Sequence, residues 1–374
     1  RLEMVVNTSL FVHTTLVPFL YGSNELKTKP TQNSIIELRR LGIQPDIIVT
    51  RAPLDLGEHV KEKIALFGSI PIENIIEAKD EANIYQIPIN FHKQHIEDII
   101  LKQFNLKVTK SNLNEWEDLI SKVNNLDKEI EIALVGKYGE LEDAYLSVKE
   151  ALKAAGYKYN TKIKIKWVNS EDLEPNKTNL KDVFKNTQGI IVPGGFGSRG
   201  IEGMIKACNY ARINKIPYLG ICLGMQIAVI EFARNVCEIT DASSREFDEL
   251  CPNPVIDLMA DQKAIINKGG TLRLGNYKCD LKKGTLAFKD YKTDSIFERH
   301  RHRYEFNNNY KDIFEKNGLI FSGINPDTNL VEIIELENHP HFIACQFHPE
   351  FKSRPTKPHP LFDSFIKSSI ANKK

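Results

Sequence analysis

The sequence carries almost no net charge: 50 Lys and Arg against 49 Asp and Glu leave +1 at pH 7. Composition therefore gives no case for a general nucleic-acid or membrane-surface binder, although a local anion site stays open. Cysteine is sparse. Six occur in 374 residues, all in the second half (Cys208, Cys222, Cys237, Cys251, Cys279, Cys345), with no C-x-x-C pair. A disulfide-stapled secreted chain would look different, so reduced thiols in a cytoplasmic setting are expected. Long apolar runs are also missing. The longest charge-free stretch, Ile216 to Ile230, is interrupted by Pro217, two glycines and Gln226, and falls short of the about 20 apolar residues of a membrane span. It reads instead as a buried strand entering a helix. There is no internal repeat, no low-complexity tract and no G-x-x-x-x-G-K-[ST] phosphate loop. The chain opens on Arg1 without a signal-like segment, which suggests a piece of something longer.

What is present is an ordinary globular mixture, 41% hydrophobic and 26% charged, long enough for two domains. Phe11–Pro18 and Asp46–Thr50 read as strands, and Thr31–Leu41 between them has helical spacing that stops at Gly42. This is a βαβ pattern, assigned to a first domain over residues 1–105. Residues 106–128 turn polar around Trp116 and read as a linker holding a short helix. The second domain, 129–374, repeats the rhythm: strands at Ile130–Val135, Ile163–Val168, Gly189–Val192 and Pro217–Ile221, with helices at Asp143–Ala155, from Ile201, and after the last strand to Phe232. Such alternation predicts an α/β fold with a mostly parallel sheet and helices on both faces.

The strand at 217–221 ends in Gly220-Ile221-Cys222-Leu223-Gly224, the cysteine form of a nucleophile elbow. Flanking glycines relieve crowding at a sharp strand-to-helix turn, and the helix start favours thiolate. Alone, the motif is read equally well as a small packed cysteine. A nucleophile needs a base and the base an orienter. Phe342–Phe347 reads as a buried strand ending in His348-Pro349-Glu350, which supplies both. Pro193-Gly194-Gly195-Phe196-Gly197, beside the Leu223 N–H, offers backbone donors for an oxyanion at the same carboxyl edge of the sheet. Within that loop, residues 195–200 also fit G-x-G-x-x-G. No acidic residue ends the following strand, which disfavours a dinucleotide site. His339, His341, Cys345 and His348 lie close enough in sequence to suggest a metal site, yet strand alternation sets the first three on one face and His348 on the other, so no metal ligand is assigned. The run Arg299 to Arg303 reads as a solvated face.

PGGFG, GICLGMQ and QFHPE in this order resemble class I glutamine amidotransferases. KTKPTQ (27–32), GKYGELEDAY (136–145) and ERHRHRYE (298–305) narrow the resemblance to the CTP synthase family, along essentially the whole chain. The resemblance implies a parallel-sheet synthetase portion followed by a class I amidotransferase α/β domain. In it, Cys222 attacks the glutamine side-chain amide, with His348 as acid and base and Glu350 as its orienter. Gly195 and Leu223 would donate to the oxyanion, Gly224, Met225 and Gln226 would line the glutamine pocket, and Glu246 and Arg303 would hold the amino and carboxylate ends. One partner of each sign suits a zwitterion. Ammonia would then aminate UTP to CTP at the expense of ATP. Lys27, Thr28, Lys29, Pro30, Thr31, Gln32 and Lys63 match the UTP/CTP site, and Lys79, Asp80 and Glu81 an ATP-contacting stretch. GTP, the family's activator, is expected near Phe196 and residues 269–275. The resembling proteins are tetramers.

The family's synthetase domain begins with a P-loop and acidic Mg2+ ligands, and position 1 here falls after them. Truncation is the preferred reading, supply in trans the other, and glutamine hydrolysis the activity expected of this chain alone. Two rival functions remain: a non-catalytic assembly subunit of the same fold, and a cysteine hydrolase indifferent to glutamine.

Overall fold

The computed structural model describes residues 9–107, 110–137, 142–174, 178–258 and 272–373. Two compact units divide the chain between Asn124 and Asn125. In the first, strands β1 (Val12–Leu16), β2 (Ile47–Ala52) and β3 (Ile75–Lys79) form a parallel sheet in the order β1-β2-β3. Helix α1 (Lys29–Arg40) links β1 to β2. Pro30 at its start suits a helix N-terminus, where its missing N–H costs nothing. Helix α2 (Glu58–Gly68) links β2 to β3. The apolar residues of β2 alternate between two cores: Ile48 and Ala52 meet Ile35 and Ile64, whereas Ile47 and Val49 meet Ile76. Helices α3 (Ile87–Lys93) and α4 (Ile96–Gln103) follow. The polar segment after residue 106 carries α5 (Asn114–Asn124), which packs back on this unit with Trp116 against the Tyr85 ring.

In the second unit the described residues form a nine-stranded sheet. Its parallel half contains β4 (Lys128–Gly136), β5 (Thr161–Asn169), β6 (Gly189–Val192) and β7 (Tyr218–Ile221), joined by α6 (Leu146–Lys158), α7 (Ile201–Ile213) and α8 (Leu223–Asn235). Three short strands, β8 (Ala242–Ser244), β9 (Asn253–Leu258) and β12 (Tyr304–Phe306), make a separate small sheet. The remainder, β10 (Arg273–Leu281), β11 (Ser295–His302), β13 (Leu319–Ile324), β14 (Val331–Leu336) and β15 (Phe342–Cys345), completes the order β11-β10-β13-β14-β15-β7-β6-β4-β5. The expected mostly parallel sheet is thus parallel only from β15 to β5, and β11, β10, β13 and β14 extend it antiparallel.

Period-two alternation builds a core on each face. Ala133, Val135, Ile190 and Val192 pack with α7 and α8; Ile132, Leu134, Ile191 and Leu219 pack with α6 and α9 (Pro360–Ala371). Among the described residues no helix is long and apolar enough to cross a membrane.

Candidate active site

The last strand of the parallel half brings the two ends of the site together. Strand β15 lies parallel to β7 with Cys345 opposite Ile221, so Cys222 and His348 leave adjacent strands at the same sheet edge. The Cys222 N–H donates to the Cys345 carbonyl at 2.7 Å. Its backbone sits at φ +51°, ψ −99°, a region an L-residue enters only under strain. Both flanking glycines are required by close approach. A Cβ on Gly220 would stand 2.6 Å from the Gly224 carbonyl oxygen, and one on Gly224 only 2.0 Å from that of Val192. The thiol belongs to a nearly enclosed residue, 4% exposed.

The His348 Nδ1 meets the Glu350 carboxylate at 2.7 Å, and the ring stacks on Phe351. Its other nitrogen, Nε2, is buried without a hydrogen-bond partner, and the ring shares its cavity and an electrostatic interaction with Cys222. Burial alone would push this imidazole down. Interaction with the Cys222 thiol and the hydrogen bond to Glu350 override burial and lift it to about 10.

Gly194 lies over the imidazole, since a Cβ there would meet His348 Cε1 at 2.8 Å. Gly195 packs on the Leu223 side chain at the start of α8, where first-turn N–H groups lack intrahelical partners. A cavity of about 290 Å3 is lined by Gly194, Gly195, Phe196, Cys222, Arg301, His348 and Glu350, together with Tyr145 and Ser147. Leu223, Gly224, Met225 and Gln226 are buried in the first turn of α8. Glu246 and Arg303 are not in the lining. Glu246 accepts the Gly197 N–H at 2.9 Å, and Arg303 is half-buried between β11 and β12.

Lys137 was missed by the sequence reading. It is 5% exposed, and its amine donates to the carbonyls of Phe196 (2.6 Å) and Gly197, while Arg199 donates to the Lys137 carbonyl at 3.1 Å. Burial drags this amine down to about 8, with Glu246 pulling the other way. It sits directly after a strand, in a segment whose neighbours 138–141 lie outside the described residues, and no pattern marks a lysine as a loop anchor. Arg301 is likewise absent from the sequence expectations, in which Arg303 alone of the charge run has a role. In fact β11 alternates: Arg299 and Arg301 face out, whereas Glu298, His300 and His302 are buried. The expected common face for His339, His341 and Cys345 is likewise corrected. The turn at 337–340 breaks the alternation, so His339 packs on Phe342 and His341 on Phe365, in opposite cores.

In the first unit, Lys27 pairs with Glu25, and Lys63 acts on the same carboxylate. Thr28 is buried at the start of α1, followed by Lys29 and Pro30. Thr31 and Gln32 are turned inward: the Thr31 hydroxyl donates to the Leu16 carbonyl at 3.1 Å, and the Gln32 amide to the Thr28 hydroxyl at 3.2 Å. Lys79 and Glu81 line an open cavity of about 370 Å3 with Asp55, Lys61, Glu77 and Lys93. Asp80 is paired with Arg51 instead. Of the segment expected to take GTP, residues 269–271 lie outside the described residues.

A strained cysteine on a strand-to-helix bend, an imidazole bound to a carboxylate and a glycine loop over both thus meet at one sheet edge, and the model of the class I glutamine amidotransferases matches residues 140–368, which sets the class. The model of the CTP synthase N-terminus matches residues 1–106. CTP synthase of Caldanaerobacter subterraneus subsp. tengcongensis is 54% identical over 96% of this chain and 67% of its own length; that of Bacillus subtilis is 52% identical over 98% and 68%. The solved glutaminase domain of Trypanosoma brucei CTPS with bound acivicin superposes with a TM-score of 0.61 at 38% identity, covering 65% of this chain and 94% of that one. The chain belongs to the CTP synthase family, glutamine-hydrolysing ligases of pyrimidine nucleotide biosynthesis. The non-catalytic alternative is not favoured.

Proposed function

We propose that Cys222, His348 and Glu350 form the glutaminase triad of this chain. The carrying observation is that Cys222 and His348 leave adjacent parallel strands into one cavity, with the imidazole bound to Glu350 at 2.7 Å. A cationic His348 beside Cys222 leaves the sulfur as the nucleophile toward the glutamine carboxamide. The tetrahedral oxyanion takes N–H donors from Gly195 and Leu223. His348 gives its proton to departing ammonia, then accepts one from the water that opens the thioester. Gly224, Met225 and Gln226 shape the pocket, and Glu246 and Arg303 hold the α-amino and α-carboxylate groups. Lys137 fixes the carbonyls of the glycine loop, and so the direction of its N–H groups.

The remaining assignments extend this reading. Residues 1–105 act as the synthetase portion, 106–128 as the connection and 129–374 as the amidotransferase. Lys27 to Gln32 and Lys63 meet the UTP or CTP phosphates; Lys79, Asp80 and Glu81 meet ATP, whose Mg2+ accompanies the phosphates. GTP binds by Phe196, and the working assembly is a cytoplasmic tetramer. Lysines and hydroxyls suit a triphosphate, although the inward hydrogen bonds of Thr31 and Gln32 give those two a supporting task.

Ammonia release from glutamine tests the triad. Wild type, supplied with nucleotides and an N-terminal synthetase fragment, is expected to release it, and Cys222→Ala to lose at least about 1,000-fold. Equal release by both overturns the assignment.

A further inference from the structure

We propose that Gln346 is a further catalytic residue, whose side-chain amide donates to the Cys222 sulfur and stabilises it as thiolate. Gln346 follows β15 directly, on the same side of the strand as Ala344, toward α8, and is fully buried. Its backbone N–H is tied to the Glu332 carbonyl at 2.9 Å, so the residue is held from the neighbouring strand. Its Nε2 lies 3.7 Å from Cys222 Sγ, an ordinary length for an N–H to sulfur bond.

Hydrogen-bonding capacity fixes which end of the amide faces the sulfur. The Tyr304 carbonyl can only accept, so the group 3.1 Å from it on Gln226 is the Nε2. That same Nε2 lies 3.5 Å from Gln346 Oε1, which accepts from it. The oxygen of Gln346 is thereby used, and its NH2 is left for Cys222. Flipping Gln346 alone would set two NH2 groups against each other, and flipping Gln226 would set its oxygen against a carbonyl. The relay from Tyr304 through Gln226 to Gln346 therefore presents a donor, not an acceptor, to the nucleophile. Tyr304 directly follows Arg303, so the residue proposed to hold the glutamine carboxylate adjoins the anchor of this relay.

A buried donor of this kind favours the charged form of its acceptor, as oxyanion donors do. It acts twice in the cycle. Whenever the thiol gives up its proton, the Gln346 N–H shares the sulfur's negative charge with His348. In deacylation, water adds to the thioester carbon and gives its proton to His348; the C–S bond then breaks with its electron pair going to Sγ. Glutamate leaves, and the thiolate regains the Gln346 N–H.

The inference rests on the triad reading, and its test separates the two. In the full chain, alkylation of Cys222 by iodoacetamide is followed by mass spectrometry from pH 5.5 to 10, alongside melting temperature, for wild type, Gln346→Glu, Gln346→Met and His348→Asn. Gln346→Glu keeps the shape but puts an oxygen anion against the sulfur. It is expected to raise the titration midpoint by about one unit, which slows alkylation by up to about tenfold at pH values well below both midpoints while the high-pH limit is kept. Gln346→Met should move the midpoint in the same direction by less. Unchanged midpoints in both variants, or a loss uniform across pH, overturn the role of Gln346 while leaving the triad standing, provided His348→Asn shifts the profile. If His348→Asn leaves the profile unmoved, the triad and this inference fall together.

Discussion

Residue 222 carries two conflicting requirements, a side chain for chemistry and a backbone conformation that a side chain resists. Its φ of +51° favours glycine. In an ordinary setting Gly is less stable than Ala by about 0.5–1 kcal/mol through the freedom of the unfolded chain. Here the order is expected to reverse: Cys222→Gly should be more stable than Cys222→Ala by about 1 kcal/mol in urea unfolding, with both inactive. His348 makes a pH-dependent contribution of known sign. Its folded proton affinity is raised above the usual value of about 6.5, so its stabilisation is full below that pH and fades as pH rises through about 10. The stability gap between wild type and His348→Asn should therefore shrink by on the order of 1 kcal/mol or more between pH 6 and pH 10.5, and a gap that widens contradicts the imidazole's environment.

At the scale of elements, the glycines of the loop and of the elbow have different jobs that one added methyl distinguishes. Gly224→Ala places its Cβ 2.0 Å from the Val192 backbone oxygen, so β6 and α8 must part. It is expected to cost about 3 kcal/mol or more in thermal or chemical unfolding. Gly194→Ala would crowd the edge of the His348 ring, a side chain that can tilt away, and make ordinary contact with Cys222 Cβ at 3.6 Å. It should melt near wild type yet lose ammonia release at least about 100-fold, because a displaced imidazole no longer faces the sulfur. The elbow, the H-P-E turn and the glycine loop were legible because each depends on neighbours in sequence: a bend, a strand end, a run of small residues. What was not legible depends on contacts distant in sequence. Lys137 reaches a loop about 60 positions on, Gln346 matters through Gln226 and Tyr304, and His339 and His341 part because a turn resets the strand's phase. The antiparallel strands β10 to β14 lie where the βα rhythm ceases, and half-buried polar strands such as β11 resemble surface until their partners are known.

For the whole molecule, residues 125–374 have a core on both faces of their own sheet. Expressed alone, this segment is expected to unfold in a single cooperative transition and to retain preferential alkylation of Cys222 among its six cysteines, all of which are buried. A featureless melt or equal labelling of all six would count against an independent unit. The pairing of β15 with β7 has one more consequence. Nucleophile and base are separated by 126 positions yet hang from a single ladder rung, and the base arrives only with the later of the two strands. Ammonia release is consequently a report on synthesis through residue 350: a polypeptide stopped before residue 342 can carry the reactive sulfur and most of the sheet, but lacks the imidazole and carboxylate that take up and return a proton.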